Sequence, residues 1–160
     1  MSNELIKPHG KKLVNCYCDP SELNKYKSDA INYSSYTLSD RQLCDLELIL
    51  NGAFSPINGF MNQEDYNSVL ENNRLSDGTV WPMPIVLDMK IELAKSVNIN
   101  DKLALRDKEG YLIAILNIND KWDYDKTLEA KKVYGTTDIT HTGVRYIFEN
   151  GGDICLGGKV

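Results

Sequence analysis

The chain has 160 residues, and its 18 Lys and Arg residues against 23 Asp and Glu residues give a formal net charge of −5. This length predicts a single domain over residues 1–160, with a core large enough to fold without metal ions or disulfide bonds. The hydrophobic content of 42% and the charged content of 26% exclude a disordered or fibrous chain, and the acidic balance argues against a nucleic-acid-binding surface.

The N-terminal sequence shows no secretory signal, because Pro8 interrupts it before an apolar segment can form. No window approaches the ~20 apolar residues of a membrane span. The cysteines match no zinc-ligand spacing, and Cys16-x-Cys18 fits two positions on one face of a strand. We therefore expect a reduced cytoplasmic location, no metal site and no membrane contact. The four cysteines are Cys16, Cys18, Cys44 and Cys155.

The first predicted elements are a strand and a short helix. The apolar segment of residues 11–18 predicts the strand. A polar helix is predicted to begin directly after it. Asp19 fits the N-cap, Pro20 suits the first helical position, and Glu22 completes a capping-box spacing.

The clearest helix start in the sequence is at Ser39, where Gln42 lies three residues later and permits a reciprocal capping box. Asn51 and Gly52 are predicted to end this helix, because glycine readily adopts the left-handed conformation. A further helix is predicted from Asn62 or Gln63 to about Asn72. The predicted buried residues of the two helices are Leu43, Leu46, Ile49 and Leu50 in the first and Tyr66, Val69 and Leu70 in the second.

The second half of the sequence alternates strands and helices. A strand is predicted over residues 84–89, at a sheet edge because of its prolines. Residues 103–106 and 111–118 read as a hairpin whose second arm is apolar enough to be buried on both faces. The remaining predicted elements are helices at 125–132 and 142–150 and a strand at 154–156. This order predicts an α+β domain with a curved, barrel-like sheet.

No residue is assigned a catalytic, cofactor-binding or metal-binding role. Neither common glycine-rich nucleotide loop is present. His9 and His141 have no orienting partner in the sequence and read as loop or helix-cap residues. Asp45 and Glu47 are two residues apart in a helix and face different sides. Only two adjacent lysine pairs occur, at residues 11–12 and 131–132, which is a weak pattern for RNA contact.

The segment from Gly52 to Met61 contains two glycines, a proline and two aromatic residues. We interpret it as a compact connector between two helices, with Phe54 and Phe60 packing inward. It contains no nucleophile beside a base, so we expect packing rather than catalysis from it.

Several motifs, taken together and in order, resemble sulfate adenylyltransferases (ATP sulfurylases). They cover the chain from Ile6 to its end. The motifs are Pro8-His9-Gly10, residues 41–52, Phe54-Ser55-Pro56, Gly59-Phe60-Met61, residues 74–78, Trp81, Pro84-Ile85, Leu87-Asp88, Glu129-Ala130, residues 133–136 and Gly157-Gly158.

The resemblance implies the PUA-like N-terminal domain of these enzymes, a mixed β pseudo-barrel with peripheral helices. The family's reaction converts ATP and sulfate to adenosine 5′-phosphosulfate and pyrophosphate. Its catalytic motifs, including a Gln-x-Arg-Asn-Pro segment, lie in a following nucleotide-binding domain, and we expect that domain to be absent from this chain. None of the chain's four arginines is followed by Asn-Pro, so no catalytic residue is carried over.

The resemblance also implies MgATP for the full-length enzyme, no cofactor in this domain, and two partners: the catalytic domain and further copies in a homo-oligomer. The alternative reading is a stand-alone PUA-like module that binds RNA or another protein. The scattered lysines of an acidic chain argue against RNA.

Three positions depart from the family pattern. Lys11 stands where a second glycine is usual, Ala53 replaces a glycine, and Thr142 replaces a proline. All three are expected to affect backbone geometry rather than chemistry.

Overall fold

A computed structural model describes residues 6–160, which form six α-helices, six β-strands and one 3-10 helix. The helices are α1 (Leu23–Asp29), α2 (Asp40–Leu50), α3 (Gln63–Asn72), α4 (Ile91–Ala94), α5 (Lys126–Tyr134) and α6 (Thr142–Asn150). The strands are β1 (Ser34–Thr37), β2 (Gly59–Phe60), β3 (Leu87–Met89), β4 (Lys102–Arg106), β5 (Leu112–Asp123) and β6 (Ile154–Lys159). The 3-10 helix is Ala30–Asn32.

The strands are hydrogen-bonded in the order β1-β4-β5-β6-β2, and β3 also pairs with β6. β1 is parallel to β4, whereas β6 is antiparallel to both β5 and β3. This mixed sheet with surrounding helices confirms the predicted α+β class. The contacts between residues divide the chain into two compact units. The first consists of the residues up to Gly59 together with Leu103–Leu116 and Val160, and the second of Phe60–Lys102 and Asn117–Lys159.

In the first unit, α2 forms as the sequence predicts. Ser39 accepts a hydrogen bond from the Gln42 N–H at 3.3 Å, and the Gln42 side chain accepts one from the Ser39 N–H at 3.0 Å. The predicted capping box is therefore confirmed. Leu46 and Ile49 are fully buried, and Gly52 ends the helix with a φ of 82°.

In the second unit, β6 packs its backbone closely against its neighbours. A side chain at Gly157 would meet the Met61 carbonyl oxygen, and one at Gly158 would meet the Asn117 carbonyl oxygen. Glycine is required here because the neighbouring backbones leave no space for a Cβ atom. The strand is longer than the predicted 154–156.

Side chains cap the three longer helices of the second unit. Asn62 caps α3 by accepting from the Asp65 N–H at 2.8 Å, and Asp125 caps α5 by accepting from the Leu128 N–H at 2.9 Å. His141 caps α6 in the same way. The predicted bounds of α3 and α6 are confirmed, while α5 extends two residues beyond Lys132. Tyr66, Val69 and Leu70 are buried as predicted.

The strand predicted for residues 11–18 does not form. Residues 11–18 belong to no strand, and two of their N–H groups bond outside the sheet: Val14 donates to Ser55 Oγ at 2.9 Å and Cys16 to the Leu50 carbonyl at 3.1 Å. The prediction was wrong because a short apolar segment can satisfy its backbone against a helix end as well as against a strand.

The first helix begins later than predicted. α1 starts at Leu23, its N-cap Glu22 makes no side-chain cap, and none of its residues is buried. Asp19 instead accepts two hydrogen bonds from Ser21, through its N–H at 2.8 Å and its hydroxyl at 2.6 Å. The side chain forms a local turn that competes with helix capping.

Further differences come from tertiary packing. Of the strand predicted for residues 84–89, only β3 (Leu87–Met89) forms. The second hairpin arm is half-exposed from Leu112 to Ile115 rather than buried on both faces. Leu43 is half-buried. The sequence did not predict β1, β2, α4 or the 3-10 helix, which are all short and lack a periodic pattern.

Candidate functional site

His141 is a structural histidine at the start of α6. Its Nδ1 accepts a hydrogen bond from the Val144 N–H at 3.5 Å, and its ring lies 4.9 Å from the Tyr134 ring. A Cβ atom at Gly143 would lie 2.6 Å from the Tyr134 ring, so glycine makes room for this ring. The imidazole is thus used as a helix cap and ring contact, in line with the cap role expected from the sequence.

His9 lies in the first unit, in an exposed turn closed by a hydrogen bond from the Lys11 N–H to the Pro8 carbonyl at 2.9 Å. Gly10 and Lys11 both have positive φ values, 70° and 73°. A Cβ atom at Gly10 would lie 2.8 Å from the Pro56 side chain, so the turn packs tightly on the segment around Pro56. Lys12 is exposed beside it.

The helical carboxylates Asp45 and Glu47 are used differently. Asp45 pairs with Arg41 one turn earlier, with its Oδ2 at 3.7 Å from Arg41 Nε. Glu47 is exposed. The exposed lysines 131 and 132 lie at the C-terminal end of α5, where positive charge interacts favourably with the helix dipole.

The four cysteines are all free thiols. Cys155 is buried and Cys18 and Cys44 are exposed. Cys16 is half-buried, and burial raises the pKa of its thiol. Within residues 6–160 no group of three or more His, Cys, Asp and Glu side chains is placed to hold a metal ion.

The segment from Gly52 to Met61 forms a packed turn around Ser55, whose peptide bond to Pro56 is cis. The buried Ser55 hydroxyl donates to the Gly52 carbonyl at 2.6 Å and accepts from the Val14 N–H at 2.9 Å. Phe60 is buried and Phe54 is half-buried. Ser55 joins the turn to the N-terminal segment, a role that the sequence did not reveal.

The second unit contains a shallow cavity of about 510 Å³ whose lining includes four charged side chains. Lys126 Nζ donates to the Gly151 carbonyl at 3.0 Å and lies 3.6 Å from Asp153 Oδ1. A hydrogen bond from the Ile91 N–H holds the pKa of Asp153 below its ordinary value, with a smaller contribution from Lys126. The lining residues are Asp123, Tyr124, Asp125, Lys126, Thr127, Phe148 and Asp153.

Beside this cavity lies a buried carboxylate. Glu129 on α5 is 4% exposed, and Tyr66 on α3 is 3% exposed. Burial, followed by the negative charge of Glu129, raises the pKa values of Tyr66 and Tyr124 above their ordinary range. The Tyr66 hydroxyl forms no hydrogen bond of ordinary geometry with the described residues, so Glu129 acts on it mainly through its charge. Trp122 lies with its ring centre 5.6 Å from that of Tyr66.

The sequence did not single out this cluster, because Glu129 reads as one charged residue among several in α5. The available signal was the Glu129-Ala130 pair among the motifs that carry the family resemblance. The charge of Glu129 on α5 acts on the hydroxyl of Tyr66 on α3 and on that of Tyr124, directly after β5.

No helix within residues 6–160 is long and apolar enough to cross a membrane.

Comparison with known proteins gives a family: a model described as the PUA-like domain matches residues 6–160. A solved structure described as "Hexameric APS kinase from Thiobacillus denitrificans" has a TM-score of 0.73 and 31% identity, covering 97% of this chain and 26% of its own.

Relatives named sulfate adenylyltransferase match nearly the whole chain. The one from Eremothecium gossypii is 41% identical over 98% of this chain and 31% of its own length. The relative from Schizosaccharomyces pombe is 48% identical over 84% and 28%, and that from a Synechococcus strain is 39% identical over 100% and 40%. The chain thus spans about a third of the length of these relatives. It belongs to the PUA-like domain family and is similar over its length to one part of sulfate adenylyltransferases.

Proposed function

We propose that this chain is the N-terminal PUA-like domain of a sulfate adenylyltransferase, and that it supports the catalytic part without carrying catalysis itself. The observation that carries the proposal is the match to these enzymes, which covers 84–100% of the chain but only 28–40% of the enzymes. The enzyme would convert ATP and sulfate to adenosine 5′-phosphosulfate and pyrophosphate.

The described side chains support a non-catalytic role. Phosphoryl chemistry on ATP and sulfate needs cationic and N–H donors that converge on developing negative charge. The cavity of the second unit is instead lined by three aspartates and one lysine, and Lys126 is engaged by Asp153 and a carbonyl group. Negative charge there would repel sulfate and the phosphates of ATP.

The same side chains do not fit MgATP. The Mg²⁺ of a nucleotide is usually held by one or two carboxylates together with the phosphates, whose charge is balanced by basic groups. Asp125 caps α5 and Asp153 accepts a hydrogen bond from the Ile91 N–H, so these two carboxylates already have hydrogen-bond partners. We therefore assign MgATP to the part of the enzyme outside this chain.

The partners follow from the same proposal. The remaining two thirds of such an enzyme would dock on this domain, and the assembled protein would form a homo-oligomer, as the name of the hexameric structural relative suggests. The free state of all four thiols supports a reducing cytoplasmic compartment.

An enzymatic assay tests the proposal directly. ATP formation from adenosine 5′-phosphosulfate and pyrophosphate is measured with this chain alone, and we expect no turnover. The chain is then mixed with the Schizosaccharomyces pombe relative expressed without its matching segment, and we expect association and a gain of activity over that truncated protein alone. The intact relative serves as the positive control.

Two outcomes would contradict the proposal. Turnover by this chain alone at the rates of ordinary enzymes, roughly 1–10³ s⁻¹, would show that it carries its own catalytic site. If the relative's own separated segment associates with the truncated relative but this chain does not, this domain serves a different partner.

A further inference from the structure

Three Asn-Gly pairs occur in the sequence, at Asn51-Gly52, Asn58-Gly59 and Asn150-Gly151. In such a pair the backbone nitrogen of the glycine can attack the side-chain amide carbon of the asparagine, because no Cβ atom shields that nitrogen. Asparagine is for this reason one of the thermolabile residues of proteins. All three asparagines are exposed, so the contacts around each pair decide which of them reacts.

The pair at the end of α6 is held firmly. Asn150 is the last residue of the helix, and the Gly151 N–H donates to the Ile147 carbonyl at 3.0 Å. The Gly151 carbonyl accepts from Lys90 Nζ at 2.9 Å and from Lys126 Nζ at 3.0 Å. The glycine is thus bound at both its N–H and its carbonyl group, and the nitrogen is not free to turn towards the side chain.

The pair at the start of β2 is held by its own peptide group. Gly59 is buried as the first residue of this strand. The Asn58 carbonyl belongs to the same peptide group as the Gly59 nitrogen, and it accepts from the Val160 N–H at 3.2 Å. An attack by this nitrogen would have to rotate the peptide group and break that bond.

Asn51 differs from both because its side chain is already folded over the following peptide group. It is the residue after α2, and its Oδ1 accepts a hydrogen bond from the Ala53 N–H at 2.9 Å. This turn brings the side-chain amide carbon towards the Gly52 nitrogen. The Ala53 N–H also points at the oxygen that gains negative charge when a nucleophile adds to the amide carbon, and such a donor favours the addition.

One hydrogen bond has to open before the attack. The Gly52 N–H donates to the Ile49 carbonyl at 3.2 Å. This bond lies at the very end of α2, where helices fray, and it therefore opens more readily than a bond inside a helix or a sheet.

We propose that Asn51-Gly52 is a deamidation site, at which the chain modifies its own backbone. The Gly52 nitrogen forms a bond to the side-chain carbon of Asn51, and ammonia leaves with the proton of that nitrogen, so that a cyclic succinimide remains. Water then opens the ring at one of its two carbonyl carbons and gives aspartate or isoaspartate. The inference goes beyond the supporting role proposed above and does not rest on it.

The modification acts on the point that holds the N-terminal segment. The Gly52 carbonyl accepts from the Ser55 hydroxyl at 2.6 Å, and Ser55 Oγ accepts from the Val14 N–H at 2.9 Å. The Leu50 carbonyl accepts from the Cys16 N–H at 3.1 Å. Isoaspartate inserts one methylene group into the main chain between Leu50 and Gly52, which moves these two anchors apart and releases residues 14–16.

Ageing the purified chain tests the site. Samples are incubated at mildly alkaline pH, either folded or in urea, and fragmentation mass spectrometry of the tryptic peptides 42–74 and 146–159 assigns each conversion of amide to acid to one asparagine. In urea all three pairs should react at similar rates. In the folded chain Asn51 should react at least about tenfold faster than Asn58 and Asn150, because its glycine opens most readily.

Labelling of isoaspartate by an isoaspartyl methyltransferase provides a second readout. Asn51→Gln should remove most of the label from the aged, folded chain, because the longer side chain does not close a five-membered ring. Asn58→Gln makes the same change at another Asn-Gly pair and should keep the label. Far-ultraviolet circular dichroism and urea midpoints confirm that both variants are folded.

Hydrogen exchange measured by NMR tests the structural consequence. In the aged chain the Val14 and Cys16 amides should lose protection at least about tenfold. The Leu38 N–H, which donates to the Arg106 carbonyl at 2.8 Å in the same unit, should be unchanged. Asn51→Asp carries the new charge without the extra methylene group and should keep most of the protection.

Four results would overturn the inference. Asn51 could stay intact in the folded chain while it reacts in urea, or Asn58 or Asn150 could react as fast as Asn51 in the folded chain. Unchanged exchange of Val14 and Cys16 after modification would show that the segment is not released. An equal loss of protection in Asn51→Asp would show that charge, and not the longer main chain, releases it. None of these results depends on enzymatic activity of the assembled protein.

Discussion

Lys11 has a backbone φ of 73°, in the left-handed region where a side chain crowds the backbone. Family members are expected to carry glycine here, and the structure supplies the physical reason for that preference. Asn73 and Asn100 are the other non-glycine residues with positive φ within residues 6–160. Asparagine tolerates this conformation through local hydrogen bonds, whereas lysine has no such compensation.

We predict that Lys11→Gly stabilises the chain by about 0.5–1 kcal/mol. The left-handed strain relieved is roughly 1–2 kcal/mol, and the greater freedom of glycine in the unfolded chain offsets about half of it. Urea unfolding midpoints measure the difference. Lys12→Gly removes the same charge at a residue without positive φ and should lower stability; equal effects of the two changes would contradict the explanation.

Ala53 shows that a departure from the family pattern need not be costly. It does not appear among the residues with positive φ, and its N–H donates to Asn51 Oδ1 at 2.9 Å. An alanine at this position therefore has no left-handed strain. Sequence comparison alone treats Lys11 and Ala53 as equivalent glycine replacements, and the backbone dihedrals distinguish them.

At the scale of the elements, α6 offers the third departure. Thr142 is the first residue of this helix, directly after the N-cap His141. Proline suits this position because its φ is already helical and the N–H that it lacks has no partner within the helix. Threonine does not restrict φ in this way, so the unfolded chain has more conformational freedom at this residue.

We predict that Thr142→Pro raises the free energy of unfolding by about 0.4–1 kcal/mol. Thermal or urea unfolding monitored by helical circular dichroism measures it. The control is Arg145→Pro in the same helix, also at an exposed residue, whose N–H donates to the His141 carbonyl at 2.9 Å. This variant should lose roughly 3 kcal/mol. Destabilisation by Thr142→Pro would indicate that the first turn does not have proline-compatible geometry.

The elements differ in how far the sequence predicts them. α2, α3 and α6 have capping residues and periodic apolar faces, and these local signals are sufficient. The segment of residues 11–18 and strand β1 lack such signals. Their state depends on Leu50, Ser55 and β4, which are distant in sequence and provide the hydrogen-bond partners. The cluster around Glu129 was missed for the same reason, because three separate elements assemble it.

At the scale of the whole molecule, Tyr66 and Tyr124 couple stability to alkaline pH. The pKa values of Tyr66 and Tyr124 are raised above the ordinary value of 10.0 by burial and by Glu129. The folded chain therefore keeps protons that the unfolded chain releases above pH 10. Their contribution to stability is fully present below pH 10 and is lost as the pH rises further.

We predict that two of the nine tyrosines stay protonated until alkaline unfolding, which spectrophotometric titration of the phenolate absorbance detects. The loss of urea stability above pH 10 should be smaller in Tyr124→Phe, because phenylalanine does not ionise in the unfolded chain. Tyr17→Phe replaces a tyrosine that is 64% exposed and serves as the control. An identical pH dependence in both variants would show that Tyr124 is not linked to alkaline unfolding.

The paired glycines of β6 limit how this domain can vary. Strand residues usually tolerate exchange as long as the alternation of side chains is kept, yet residues 157 and 158 accept no side chain, because the carbonyl groups of Met61 and Asn117 occupy the space. A redesign or a natural sequence drift that reshapes β6 has to move two other segments at the same time. This strand therefore has little freedom to evolve at these two residues, and a glycine pair here should persist in distant members of the fold even after the surrounding sequence has diverged.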